Sequence, residues 1–321
     1  MNQHPFFLGF LGMATTSVVL AAAPAMKPAA PAKPPPAAAS VTATVTGQLD
    51  GKLLAAGDNR VMILNTDGTI AWQHPAGLTH DVWMLPNGNV LYADGNTVTE
   101  ITPAQKVVFQ YKSAEQHGGG TYACQRLDNG NTLVGENSTG KVLEVDAKGK
   151  VVFEMQTKDA KPGEHHNQRM VRKLANGNYL VCHSGGHVVR EYQPDGSVAW
   201  EQKTPNLAFA AIRKANGNTL VSTLGSLIEY QPDGTIAWEF KNTDIPGLTI
   251  TNMTGIQLLP NGNIVTGCYQ AYQGGQGCGL LEITPDKKVV WSFASPPAAG
   301  SMMAVQKLSA DGKPLAGNPQ R

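Results

Sequence analysis

The tripeptide Asn-Gly-Asn occurs five times, at 87–89, 129–131, 176–178, 216–218 and 261–263, at intervals of 42, 47, 40 and 45 residues. A chain that repeats one short element at this period is a stack or ring of equal supersecondary units, and few folds satisfy that. The surroundings recur with it: MLPNGNVLYA, RLDNGNTLVG, KLANGNYLVC, KANGNTLVST and LLPNGNIVTG. A second series follows at a regular distance, GTIAWQH, QKVVFQY, GKVVFEM, GSVAWEQ, GTIAWEF and KKVVWSF. Between the two lies a third, VMILN, VTEIT, VLEVD, VREYQ, LIEYQ and LLEIT.

Each unit therefore holds four short runs of alternating apolar residues separated by turn residues. In the second unit these are His80 to Leu85, Asn89 to Ala93, Thr97 to Ile101 and Lys106 to Tyr111. Asn-Gly between two such runs predicts a hairpin, read here as a type I′ turn with positive φ at both central residues. Four antiparallel strands per unit make a propeller blade. The aromatics Trp72, Phe109, Phe153, Trp200, Trp238 and Trp291 fall at one position of the last strand, where a large ring packs between neighbouring blades. Their count predicts an all-β, six-bladed propeller of four-stranded antiparallel blades.

The ends predict how the ring closes. SMMAVQKLSADGKP resembles a first strand with its hairpin, and GKLLAAGDNRVMILNTDGTIAWQHP supplies three further strands. The two pieces together complete one blade and remove an open edge. Residues 41–49, VTATVTGQL, form either a competing inner strand or an outer addition.

Residues 1–25 read as a signal peptide: the apolar run from Phe6 to Ala23 ends at Ala23-Pro24-Ala25, a small-residue cleavage pattern. Residues 26–40 are a Pro/Ala-rich linker, extended and unable to bury a core. The folded body is 41–321, and the expected location is periplasmic or secreted. No other segment is long and apolar enough to span a membrane. A net charge of +1 offers no field for nucleic acid, and no basic stripe interleaved with aromatics is present. A monomer is expected.

The repeats LPNGNVL and DGTIAWEF resemble those of bacterial arylsulfotransferases and of quinoprotein-like, PQQ-type propellers, over roughly residues 45–312. The first resemblance implies sulfuryl transfer between phenols through a histidine, assisted by arginine and other polar channel residues. The chain lacks the extra β domain of those enzymes. The second implies a PQQ cofactor in the channel. Six blades and the absence of a vicinal Cys-Cys pair depart from that pattern, so no cofactor is expected.

Inner strands of a propeller converge on one axis. Counting seven residues back from each hairpin gives the ring His80, Tyr122, Arg169, Phe209, Thr254 and Ala304 at one mouth of the channel. Just upstream lie His117, His165, His166, Asn167 and Gln168. The ligand-binding set drawn from these is His80, His117, Tyr122, His166, Asn167 and Arg169. Arg169 can hold a carboxylate, sulfate or phosphate in a two-pronged grip. The histidines can act as base or nucleophile. Asp81 can orient His80 only by pointing inward, against the alternation of a regular strand.

His165-His166 and His183-x3-His187 are the one metal-like pattern, and no acid or thiol completes a closed set. Cys268 and Cys278 flank the insert YQAYQGGQG, and an exported protein permits a disulfide between them. Cys124 and Cys182 read as buried thiols. No nucleophile elbow, phosphate loop or HExxH is present. The function expected is recognition of a small molecule, glycan or protein at one mouth, with a sulfuryl-transfer enzyme as the alternative and a PQQ quinoprotein behind it.

Overall fold

The computed structural model of the chain describes residues 44–57, 59–114, 119–269, 278–294, 302–316 and 321. The segments read as signal peptide and linker lie outside the described residues. Among the described residues no helix is long and apolar enough to cross a membrane.

Six sheets form six antiparallel blades. The strands, numbered in chain order, follow the sequence repeat. An extra strand, β1 (Thr44–Gly47), comes first. The first blade then takes β2 (Leu53–Gly57), β3 (Arg60–Leu64) and β4 (Ile70–Pro75). The second holds β5 (Thr79–Met84), β6 (Val90–Asp94), β7 (Thr97–Ile101) and β8 (Val107–Lys112). The third holds β9 (Thr121–Arg126), β10 (Thr132–Glu136), β11 (Lys141–Val145) and β12 (Val151–Gln156). The fourth holds β13 (Val171–Lys173), β14 (Tyr179–His183), β15 (Val188–Tyr192) and β16 (Val198–Lys203). The fifth holds β17 (Ala208–Arg213), β18 (Thr219–Thr223), β19 (Ser226–Tyr230) and β20 (Ile236–Lys241). The sixth holds β21 (Asn252–Leu258), β22 (Ile264–Tyr269), β23 (Leu280–Ile283) and β24 (Val289–Ala294). The last strand, β25 (Met302–Lys307), completes the first blade.

β25 pairs with β2, so chain segments from opposite ends build one blade and close the ring. β1 lies outside β24 as a fifth strand of the sixth blade. Of the two roles open to residues 41–49, the outer addition is the observed one, and it covers one outer edge.

The hairpin turns differ from the expected type I′ geometry. Gly88 is left-handed at φ 83°, but Asn87 is not among the residues of positive φ. Leu85 accepts from the Gly88 amide and donates to Asn89 O, both at 2.9 Å. This is a three-residue loop, a type I turn followed by a left-handed glycine. Each asparagine has its own task. The Asn87 side chain accepts from the Asn89 amide at 3.0 Å. Asn89 Nδ2 reaches across to Glu100 at 2.6 Å. The same two contacts recur in the other four Asn-Gly-Asn repeats, except that Asn131 to Glu144 stretches to 3.5 Å.

That glutamate also joins neighbouring blades. Glu100 pairs with Arg126, Glu144 with Lys173, Glu191 with Arg213 and Glu282 with Lys307, each cation standing on the inner strand of the next blade. In the first blade Ile63 takes the glutamate's place opposite Leu54 and packs against an apolar cluster that includes Met84 of the second. Glu229 is the exception, pairing with Lys214 of its own blade. The outer tryptophans add a second link. Trp72, Trp200 and Trp238 donate to the carbonyls of Pro103, Pro232 and Pro285 in the following blade, at 2.9, 3.2 and 2.8 Å.

The expected Cys268–Cys278 disulfide is corrected. Both are free thiols, as are Cys124 and Cys182, and all four are buried. Cys268 and Cys278 sit in the apolar core at the neck of the insert, where the Cys268 amide donates to Gly279 O at 2.9 Å. Cys278 Sγ donates to Leu280 O at 3.0 Å. A hydrogen bond with Cys278, then burial, raises the Cys268 thiol well above its ordinary range.

Candidate functional site

Every inner strand begins with a break in register against its neighbour. Pairing passes from Thr79 to Asp81 and leaves His80 extra. It leaves Tyr122 extra between Thr121 and Ala123, and Phe209 between Ala208 and Ala210. Met303 is extra in the first blade, and Thr254 and Gly255 fall inside a wider break in the sixth. In the fourth, Arg169 and Met170 both bond to Cys182. A β-bulge bends the strand and re-aims a side chain. Here six bulges bring the ring His80, Tyr122, Arg169, Phe209, Thr254, Ala304 to one pocket with about 30 Å3 of free volume. The bulge also explains how His80 and Asp81, adjacent in sequence, both line it. In the first blade the bulged residue is Met303, one before the counted Ala304, because there the inner strand and its partner come from opposite ends of the chain and the turn lies one residue further on.

The ring is lopsided. Blades two to four contribute His80, Tyr122 and Arg169, whereas blades five, six and one contribute Phe209, Ala210, Gly255, Ile256, Met303 and Ala304, with Thr254 among them. One half of the wall is polar and the other is apolar.

Arg169 dominates the polar half. It is 7% exposed, and its guanidinium lies over the Tyr122 ring at 4.6 Å. Nη2 donates to His165 Nε2 and to His166 Nδ1, each at 3.1 Å. Nε and Nη1 are buried and reach no acceptor. No ion pair joins Arg169 to a carboxylate among the described residues. Because a guanidinium only donates, His165 must present a lone pair at Nε2 and carry its proton on Nδ1. That proton then goes to the Tyr122 oxygen, 2.9 Å away.

The histidines are held neutral. Burial first, then the Arg169 charge, lowers His165 and His166 below the usual imidazole range. The same two causes push His80 well down, with His165 adding to them. His80 lies tilted against Tyr122, with ring centroids 3.9 Å apart and planes at 47°, and its Nε2 is buried without a partner. Burial likewise raises the Tyr122 phenol, against the pull of Arg169.

Deeper in the channel a second ring stands three residues further along each strand: Trp83, Gln125, Arg172, Ile212, Gln257 and Gln306. Arg172 grips Asp81 through two bonds of 2.7 and 3.0 Å. Gln125, Gln257 and Gln306 each accept a main-chain N–H from the next inner strand, at Lys173, Lys307 and Met84. Arg321 lies in this layer, its guanidinium 4.4 Å from the Trp83 ring centroid.

Of the residues read as ligand-binding, His80, Tyr122 and Arg169 line the pocket and His166 touches Arg169. Asn167 does not face the pocket. Its side chain ties a loop together, donating to Asn137 O and Lys161 O and accepting from the Lys161 amide at 2.9, 2.7 and 2.8 Å. His117 lies outside the described residues. Asp81, His165, Arg172 and Arg321 belong to the site as well. Continuing the same count down the strand would have found Arg172, whereas no sequence signal marks Arg321. His183 is occupied elsewhere, between Asn167 O at 2.8 Å and Tyr192 Oη at 2.9 Å.

The chain matches no family model and no curated protein. Solved structures are similar to it in fold. A protein of unknown function from Bacteroides caccae is 23% identical with a TM-score of 0.71, over 82% of this chain and 99% of that one. A virginiamycin B lyase from Staphylococcus aureus, solved with quinupristin, is 13% identical with a TM-score of 0.53, over 80% and 89%. The WD40 propeller domain of Doa1 is 14% identical with a TM-score of 0.54, over 85% and 94%. At these identities the likeness is one of architecture.

Proposed function

We propose that the mouth of the channel binds a small amphipathic ligand carrying an oxyanion, a carboxylate, sulfate or phosphate. The observation that supports this is Arg169. Among the described residues its guanidinium is buried, faces no carboxylate, and leaves Nε and Nη1 without acceptors. Burying a cation with unspent donors is costly, and an oxyanion offers the two-pronged acceptor that relieves it. His80 lines the same pocket, with its Nε2 buried and without a partner. The apolar half-wall of Phe209, Ile256 and Met303 suits a hydrocarbon or aromatic body. With the N-terminal segment read as an export signal, the protein meets that ligand outside the cytoplasm.

The test is calorimetric titration with benzoate, phenyl phosphate and phenyl sulfate, and with benzyl alcohol as the uncharged control. Binding of the anions alone, lost in Arg169→Gln, supports the reading. Equal binding of the alcohol, or binding that survives Arg169→Gln, overturns it.

A second reading is sulfuryl transfer, as in the bacterial arylsulfotransferases the repeats resemble. A neutral His80 with an unpartnered Nε2 beside an anion-holding arginine favours it. The imidazole would attack sulfur, the aryl S–O bond would break, and the phenolate would leave and take up a proton. Release of phenol from phenyl sulfate by the intact chain, abolished in His80→Ala, is the measurement that separates this from binding alone. The PQQ alternative fits less well. Trp83, the aromatic on which a planar quinone would stack in the deeper ring, already carries the guanidiniums of Arg172 and Arg321 at 4.9 and 4.4 Å.

A further inference from the structure

Beneath the anion pocket the channel contains a receptor of opposite character. Two inner strands turn main-chain carbonyls toward one point. Val82 O, on β5, accepts from Arg321 Nη1, and Val305 O, on β25, accepts from Nη2 at 3.0 Å. Gln306 Oε1 lies 3.4 Å from Nη1. The Trp83 ring lies under the same guanidinium, and Asp81 Oδ1 is 3.9 Å away. Arg172 Nε donates to the main-chain oxygen of Arg321 at 3.0 Å. Carbonyl acceptors set for a planar fork of donors, a cation-π face and a nearby carboxylate are what recognise an arginine side chain. The Arg172 contact reads the backbone of the same residue.

The receptor belongs to the ring, and its occupant does not. Arg321 lies beyond β25 and beyond the Leu308–Pro314 bridge that ends the last blade. Among the described residues it belongs to no strand. Its fit is also incomplete. Asp81 is already engaged by both nitrogens of the Arg172 fork, so Arg321 stands second in line, and its Nε is buried without an acceptor. Burial, against Asp81, lowers its guanidinium to about 10.

We propose that the middle of the channel is an arginine-recognition site, filled in this structure by the chain's own Arg321 and able to accept free arginine, or an arginine residue, in its place. The site adjoins the oxyanion pocket, sharing Asp81, Arg172 and Arg321 with its lining, but the anchor of that pocket is Arg169 on β13's approach, so the two can be tested apart. Emptying it deepens the channel down to the Asp81–Arg172 pair.

The experiment uses the full chain with Arg321→Ala, read by thermal melting and by calorimetry with L-arginine. The variant is expected to melt below the parent protein. Millimolar L-arginine, but not L-lysine, is expected to restore part of that loss and to bind the variant at least ~10-fold more tightly than the parent. Arg321→Lys keeps the charge, loses the fork, and is expected to show a smaller arginine-dependent gain. If arginine stabilises neither variant, or if lysine does so equally, the proposal falls. Loss of phenyl phosphate binding in Arg169→Gln leaves these outcomes unchanged, so failure of the anion site and failure of the arginine site are distinguishable.

Discussion

Asp81 and Arg172 stand 91 residues apart in the chain, on the inner strands of the second and fourth blades, and meet inside the channel through two hydrogen bonds of 2.7 and 3.0 Å. Asp81 Oδ2 also accepts the Cys124 amide of the intervening blade at 3.0 Å. Three blades are thus fastened at one carboxylate, which is also the only acidic group lining the pocket beside three arginines. Asp81→Asn leaves two buried guanidiniums without their counter-charge. A loss of about 3–5 kcal/mol is expected in urea unfolding. Combining it with Arg172→Met removes one of the stranded charges, so the double variant is expected to be more stable than Asp81→Asn alone.

Arg169 predicts the opposite trade. Among the described residues it has no carboxylate partner, and its burial is a standing cost. Arg169→Met keeps most of the side chain's volume and discards the charge. It is expected to raise stability by about 1–2 kcal/mol while abolishing anion binding. A melting curve and a phenyl phosphate titration on one preparation check both halves.

The buried His183 predicts an acid limb of stability. Its Nδ1 faces a carbonyl, so the proton sits there, and Nε2 takes the Tyr192 hydroxyl hydrogen. Burial is the main reason its pKa is lowered to about 4, and Arg190 adds to it against Asp159 and Glu201. The unfolded chain therefore binds a proton between pH 6.5 and 4 that the folded chain refuses. Stability falls as pH falls through that window, by about 3 kcal/mol for this residue. The limb is expected to be shallower in His183→Gln, measured by urea unfolding at pH 7.5 and 4.5.

The four thiols predict a simple labelling result. All are buried, and burial raises Cys124 and Cys182 above their ordinary range. In non-reducing buffer the folded protein is expected to react slowly with a thiol reagent and the unfolded protein to show four thiols. Two would restore the Cys268–Cys278 disulfide.

The fold was legible because turn chemistry is local. Asn87-Gly88-Asn89 must turn wherever it stands, and repeating it announces the blade. What was misread about the turn, type I′ in place of type I with a left-handed glycine, changes no strand assignment, because both make a hairpin. The ring at the mouth was legible for a related reason: blades of equal register carry position in the sequence over to position on the axis. Two things broke that transfer. Bulges placed His80 and Asp81 in one pocket, which simple alternation forbids. Asn167 was taken for a ligand group because its loop position says nothing of whether its amide faces the channel or its own backbone. Arg321 belongs to no repeat unit, so nothing in the periodicity could place it.

The glutamate–cation link between blades was hidden in plain view, since each partner lies in a different repeat. The chain contains its own control: Glu282 faces Lys307, while the corresponding Ile63 packs against an apolar cluster that includes Met84. Glu282 is 2% exposed at its side chain and also accepts from Trp291 Nε1 at 2.6 Å and from Asn263 at 2.7 Å. Lys307→Met therefore leaves a buried carboxylate with donors and no cation. It is expected to cost about 2–4 kcal/mol, at the seam where the ring closes. Adding Glu282→Ile reproduces the apolar pairing of the first two blades and removes the stranded charge. Because Trp291 Nε1 then lacks its acceptor, the recovery should be partial. A positive coupling between the two substitutions in a urea double-mutant cycle is the expected result, and simple additivity would mean that the pair does not hold the seam.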